Sequence, residues 1–178
     1  MKWETILVTI VTAFIGSGVG SAIVTHWLTI KRAREEFFRA KLEELFLAVS
    51  GYCMQAGRVY DSHLAAISGK ASYEEAIESS VQGIDLSARY FEKSQMLINL
   101  YFPELRELLD KLVAEIDKAA RLRLALRGVV SAKAAKEFSD AIIRFDETGK
   151  LLREKISGSY AKLLRPRSLV EKLKKRMR

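Results

Sequence analysis

Two patterns of apolar and polar residues divide this 178-residue chain. Between Ile6 and Ile30 there is no Asp, Glu, Lys or Arg, and Lys31, Arg32 and Arg34 follow at once. A helix over that stretch is roughly 37 Å long at about 1.5 Å per residue, enough to cross a hydrocarbon core of about 30 Å with some tilt. The pattern predicts a single transmembrane helix within residues 1–30. Trp3 and Trp27 stand near its ends, where amphipathic rings favour the interface. A cleaved signal peptide is the competing reading, but its apolar stretch would be shorter than one that continues to Ile30.

From Lys31 to Leu164 the spacing changes to the three-and-four rhythm of amphipathic helices. The first stripe, Phe38, Leu42, Leu45, Phe46, Val49, Cys53, Ala56, Tyr60, Leu64 and Ile67, predicts a long helix growing directly out of the span. Ser68 to Ala71 interrupts it. Ser72 with Glu75 then forms a capping box opening a second helix, with Ile77, Val81, Ile84, Ala88, Phe91, Ile98 and Phe102 as its apolar stripe. Pro103 fits the first position of a third helix that carries Leu105, Leu109, Leu112 and Ile116, or else it kinks one continuous helix. Gly128 marks a stop, and a fourth helix from near Ser131 carries Phe138, Ile142, Phe145, Gly149, Leu152, Ile156 and Tyr160. No stretch alternates with period two. The expected fold class is all-α: an N-terminal transmembrane helix continuing into an antiparallel cytoplasmic bundle. Four helices result if Pro103 is a corner, since short connections set successive helices side by side in opposite directions.

The net charge of +8 is unevenly placed. Residues 165–178 hold Arg165, Arg167, Lys172, Lys174, Lys175, Arg176 and Arg178 against Glu171 alone, so +6 of the +8 lies there. Pro166 breaks the fourth helix, and Leu169, Val170, Leu173 and Met177 share one face of a short amphipathic tail. In an up-and-down bundle of four helices the tail returns to the membrane. There it joins Lys31, Arg32 and Arg34 against an anionic leaflet, each residue contributing about 1 kcal/mol before screening. A polyanion or an acidic partner is the rival for the same residues. Nucleic acid is disfavoured, because no nucleic-acid-binding fold, aromatic interleaving or basic helix stripe accompanies them. The basic flank after the span places the N-terminus outside and the bulk of the chain in the cytoplasm, on the cell (inner) membrane. The expected domains are an anchor, 1–30; a bundle, 31–164; and a basic membrane-proximal tail, 165–178.

Small residues crowd the middle of the span: Gly16, Ser17, Gly18, Gly20, Ser21 and Ala22. Gly16 with Gly20 forms a GxxxG pair and Gly18 with Ala22 a second small pair on another face, which predicts self-association into a homo-oligomer.

Candidate chemistry is sparse. His26 and His63 are far apart, and neither belongs to a Glu-x-x-His motif, so no metal site is expected. His63 reads as a partly exposed helix residue. Cys53, the one cysteine, falls on an apolar stripe, which favours a buried inert thiol over a nucleophile. No GxxxxGK[ST] phosphate loop occurs, so neither catalytic residues nor cofactors are expected and an enzyme is the least favoured class. Lys118, Arg121, Arg123 and Arg127 cluster at the end of the third helix, where the helix dipole alone favours cations; they form a candidate rim for an anionic ligand. The leading expectation is a non-enzymatic, self-associating membrane protein whose bundle binds an unidentified cytoplasmic protein partner or organises an assembly. One alternative is an oligomeric membrane effector whose cytoplasmic domain senses a ligand and whose spans permeabilise the membrane. Another is a polyanion-binding protein that acts through its basic tail.

Overall fold

The computed structural model describes residues 3–16, 18–82, 84–125 and 132–164. The described residues form six α-helices: α1, Trp3–Gly16; α2, Val19–Ile67; α3, Tyr73–Val81; α4, Tyr90–Tyr101; α5, Arg106–Ala125; and α6, Ala132–Leu164. No strand occurs among them, so the chain is all-α. Residues up to Ala40 form one unit and those from Lys41 onward a second.

In the first unit, the single helix expected over Ile6–Ile30 is two. α1 ends at Gly16, and Gly18 takes φ +71° before α2 begins. A left-handed glycine just beyond a helix end is a common way to close a helix, because without a Cβ the conformation costs little. α1, with 14 residues, is about 21 Å long, and the charge-free start of α2 is about 18 Å. No helix among the described residues is long and apolar enough to cross a membrane. The small residues read from the sequence as packing ridges instead surround a helix end. Gly16 closes α1 and Gly20 lies in the first turn of α2, so the two do not share one helical ridge. Gly18 precedes α2, and its carbonyl accepts the Ala22 N–H at 3.0 Å and the Ser21 hydroxyl at 2.7 Å. Ser17 lies outside the described residues. Other hydroxyls bond one turn back in the same way: Thr12 donates to the Val8 carbonyl at 2.6 Å and Thr29 to that of Thr25 at 2.8 Å.

In the second unit, contacts register the helices in alternating directions. Against the rising part of α2, Gln55 donates to the Asp85 carbonyl at 3.1 Å and Tyr52 lies 5.2 Å from the Phe91 ring. Further down, Lys93 reaches Glu44 at 3.0 Å and Lys41 sits over the Tyr101 ring at 6.0 Å, so α4 descends. α5 climbs: Tyr60 Oη donates to the Ile116 carbonyl at 3.2 Å, and Arg123 stands 3.5 Å from His63. α6 descends, with Phe138 and Phe145 edge-on to Tyr60 at 6.0 and 6.2 Å and its last turns beside Leu42 and Phe46. Pro103 is the corner. It opens a 3-10 turn, Pro103–Leu105, and Phe102 before it has left the helical range at φ −137°, as a residue preceding proline tends to do.

The capping box forms as the sequence predicts: the Ser72 N–H donates to Glu75 at 2.7 Å, and the Glu75 N–H donates to the Ser72 hydroxyl at 3.2 Å. The helix that it opens is nevertheless broken. Asp85 accepts both the N–H and the hydroxyl of Ser87, at 3.0 and 2.5 Å, and Arg89 takes a left-handed φ of 43° before α4 starts. Short polar side chains that bond their own backbone compete with helix, and here they divide it into α3 and α4. The division also rotates α3: Ala76 and Ser80 are buried, whereas Ile77 and Val81 of the expected stripe are exposed. Gly128 and Ser131 lie outside the described residues.

The core runs the length of the second unit through Leu42, Leu45, Val49, Leu97, Leu112, Phe138, Leu152 and Ile156, each at most 1% exposed. α2 meets its neighbours closely at two glycines. A Cβ on Gly51 would stand 2.7 Å from the Tyr90 ring, and one on Gly149 would stand 2.9 Å from Cys53 Sγ.

Candidate functional site

Three places collect the residues singled out by the sequence. The first is the surface of the first unit, where Trp3 (81%), Leu7 (60%), Val8 (65%), Ile10 (60%) and Trp27 (57%) are among the exposed large apolar side chains. At the charged end of this surface Lys31 lies over the Trp27 ring at 5.7 Å and faces Glu35 at 3.8 Å, while Arg34 lies over Phe38 at 5.7 Å. Arg32 is exposed beside them.

The second place is the end of the bundle that begins at Lys41. Glu44 accepts Lys41 at 2.7 Å and Lys93 at 3.0 Å, and these bonds hold its carboxyl below the usual carboxylate value. Beside this cluster Leu42, Glu43, Phe46, Ile156, Ser157 and Tyr160 line a groove of about 230 Å³ whose floor, Leu42 and Ile156, is fully covered. Because Tyr160 and Ile156 line it, the last turns of α6 are fixed at the end where residue 41 begins. The tail residues Arg165, Arg167, Lys172, Lys174, Lys175, Arg176 and Arg178 lie outside the described residues.

At the opposite end of the bundle the basic rim divides. Lys118 and Arg121 are exposed, Arg127 lies outside the described residues, and Arg123 turns inward, with its Nε buried and without a hydrogen-bond partner among the described residues. It meets His63, which is 4% exposed, not partly exposed as expected from the sequence, and whose ring is 5.9 Å from that of Tyr73. A guanidinium only donates, so the Arg123 contact requires His63 Nε2 to accept. A signal for this burial exists in the sequence: His63 follows Tyr60 by three residues and precedes Ile67 by four, on the same stripe.

Cys53 faces α6 from α2, and burial there pushes its thiol up while Arg153 draws it partly back. A protonated thiol is a poor nucleophile. Among the described residues no group of three or more His, Cys, Asp or Glu could hold a metal ion. Comparison with protein-family models, with curated proteins and with solved structures finds no match.

Proposed function

We propose that this chain is a non-enzymatic, membrane-attached module: the charge-free stretch from Ile6 to Ile30 lies in lipid, and the bundle is held at the cytoplasmic face to bind a protein partner or organise an assembly. The observation that carries this reading is the outward display of large apolar side chains in the first unit, from Val11 at 49% to Trp3 at 81% across α1 and from Leu28 at 39% to Trp27 at 57% across the start of α2. Each such side chain left half in water costs roughly 1 kcal/mol, so the ten of them together favour an apolar surrounding by about 10 kcal/mol. The helix break is compatible with lipid. Ser21 and Ala22 both donate to the Gly18 carbonyl, so the polar hydroxyl beside the break is satisfied within the chain, as an apolar surrounding requires. α1 and the charge-free part of α2 are each too short to cross alone, and together they have the length.

Flotation of the full chain with zwitterionic vesicles at high salt, beside a variant lacking residues 1–30, tests the reading. The full chain should rise with the vesicles and the variant should remain below. A full chain that stays below overturns attachment through the first unit, and digestion of the bundle by protease added outside whole cells overturns the cytoplasmic placement.

A further inference from the structure

Two neighbouring glutamates on α2 meet different surroundings. Successive residues on a helix point about 100° apart. Glu44 turns toward α4, where Lys93 reaches it beside Lys41, while Glu43 turns toward α6 and makes no ion pair with a described residue. Glu43 stands on the wall of the groove of about 230 Å³ whose floor is Leu42 and Ile156. Among the described residues that line this groove it alone is charged. A chain of net charge +8 thus presents a single exposed carboxylate beside apolar surface here.

The rest of the wall is aromatic. Phe46 lies one turn on from Glu43 in α2, and Tyr160 lies one turn on from Ile156 and Ser157 in α6, so helical spacing sets a ring on each side. Phe46 belongs to the stripe that buries Leu42, Leu45 and Val49, yet it remains 36% exposed. Aromatic faces attract positive charge, and alkylated ammonium groups are recognised by rings together with a carboxylate.

We infer that this groove binds a small, soluble alkylammonium compound of about the size of choline. Glu43 supplies the counter-charge, Phe46 and Tyr160 the aromatic walls, and Leu42 and Ile156 the apolar floor. Size and chemistry select this class. An apolar cavity of about 150 Å³ takes benzene, so a groove of about 230 Å³ accommodates a quaternary ammonium group with a short arm. A hard metal ion asks for several oxygen ligands, which one carboxylate and the hydroxyls of Ser157 and Tyr160 on apolar ground do not supply. An anion would be repelled by Glu43, and a neutral molecule gains nothing from it. Attachment of the first unit to lipid is not needed for such binding.

The test uses the full chain purified in an uncharged maltoside detergent, so that no ammonium headgroup competes. Choline is titrated beside its uncharged isostere, in which carbon replaces the ammonium nitrogen, and saturation transfer from the protein to the ligand methyl protons is read. Choline should bind about tenfold more tightly, as attraction to the rings and one counter-charge together give at a partly exposed site. Glu43→Gln should weaken choline about fivefold and leave the isostere unchanged. Phe46→Leu keeps an apolar wall without the ring and should narrow the ratio between the two ligands. Both positions are exposed, so each variant should retain the helical circular dichroism of the parent. Equal binding of choline and its isostere overturns the inference. So does a choline signal that never saturates, or one that Glu43→Gln leaves unchanged. With phenylalanine labelled for NMR, a Phe46 resonance that responds to added phosphatidylcholine and not to choline overturns the soluble ligand in favour of a lipid headgroup.

Discussion

The two units place their apolar side chains in opposite ways on the same secondary structure. In the first, Leu7, Val8 and Ile10 point outward, at 60% exposure or more, and the hydroxyls of Thr12, Ser21 and Thr29 bond back to carbonyls three or four residues behind. In the second, Leu45, Leu97 and Phe138 are fully covered, and charged side chains such as Glu107 and Lys111 pair on the outside at 2.7 Å. α2 passes from one regime to the other without a break, its apolar residues turning from a whole circumference to a single stripe. Helicity therefore says little about environment. The placement of apolar side chains around the helix says most, because burial of apolar area is the dominant favourable term in folding.

That contrast is broken most sharply by paired truncations. Phe138→Ala removes a fully buried ring packed on Tyr60 and should cost about 3–5 kcal/mol in urea unfolding. Val8→Ala, 65% exposed, should leave the same unfolding transition within about 0.5 kcal/mol. Equal losses from the two would mean that the first unit shares the second unit's core. A smaller effect is expected at the close approach of α2 and α6. Gly149→Ala sets a Cβ 2.9 Å from Cys53 Sγ and should cost about 1–3 kcal/mol, most of it recovered when Cys53→Ala is added. Additivity of the two substitutions would show that the methyl group and the sulfur do not meet.

Much of the second unit was legible in the sequence because its signals are periodic and local. The stripe of α2 apart from Phe46, which is exposed, the capping box at Ser72 and Glu75, and the corner at Pro103 each follow from a few neighbouring residues, and each is present. The break between α3 and α4 was not read, although Asp85-Leu86-Ser87 carries it: the bond from Ser87 to Asp85 competes with a helix of strong apolar pattern, and pattern alone favours the helix. The same bias toward continuity turned Gly16, Gly18 and Gly20 into ridges on one span. A glycine serves a helix surface and a helix end equally well, and only its φ distinguishes them. Of the candidate site, the inward turn of Arg123 onto His63 needs the register between α2 and α5, which no local pattern contains.

A weaker effect again lies at Glu44, in the first turns of the second unit. Its carboxyl is held below the usual 4.5 by the bond from Lys41, then by that from Lys93. A group whose value falls on folding adds stability above its unfolded value and loses it as the pH drops through the folded one. The Glu44 contribution should thus be complete at neutral pH and fade below about pH 4.5. Partial exposure of all three partners limits it, and Glu44→Gln should cost under about 1 kcal/mol at pH 7. Urea midpoints of the variant and the parent should converge as the pH is lowered toward 3. Glu35→Gln supplies the counterpart from the first unit: its partner Lys31 is 3.8 Å away and both side chains are nearly half exposed, so its effect should be smaller still. A gap for Glu44→Gln that persists unchanged into acid would assign the loss to packing around the side chain instead of its charge, and would remove ion pairing from what distinguishes the two units.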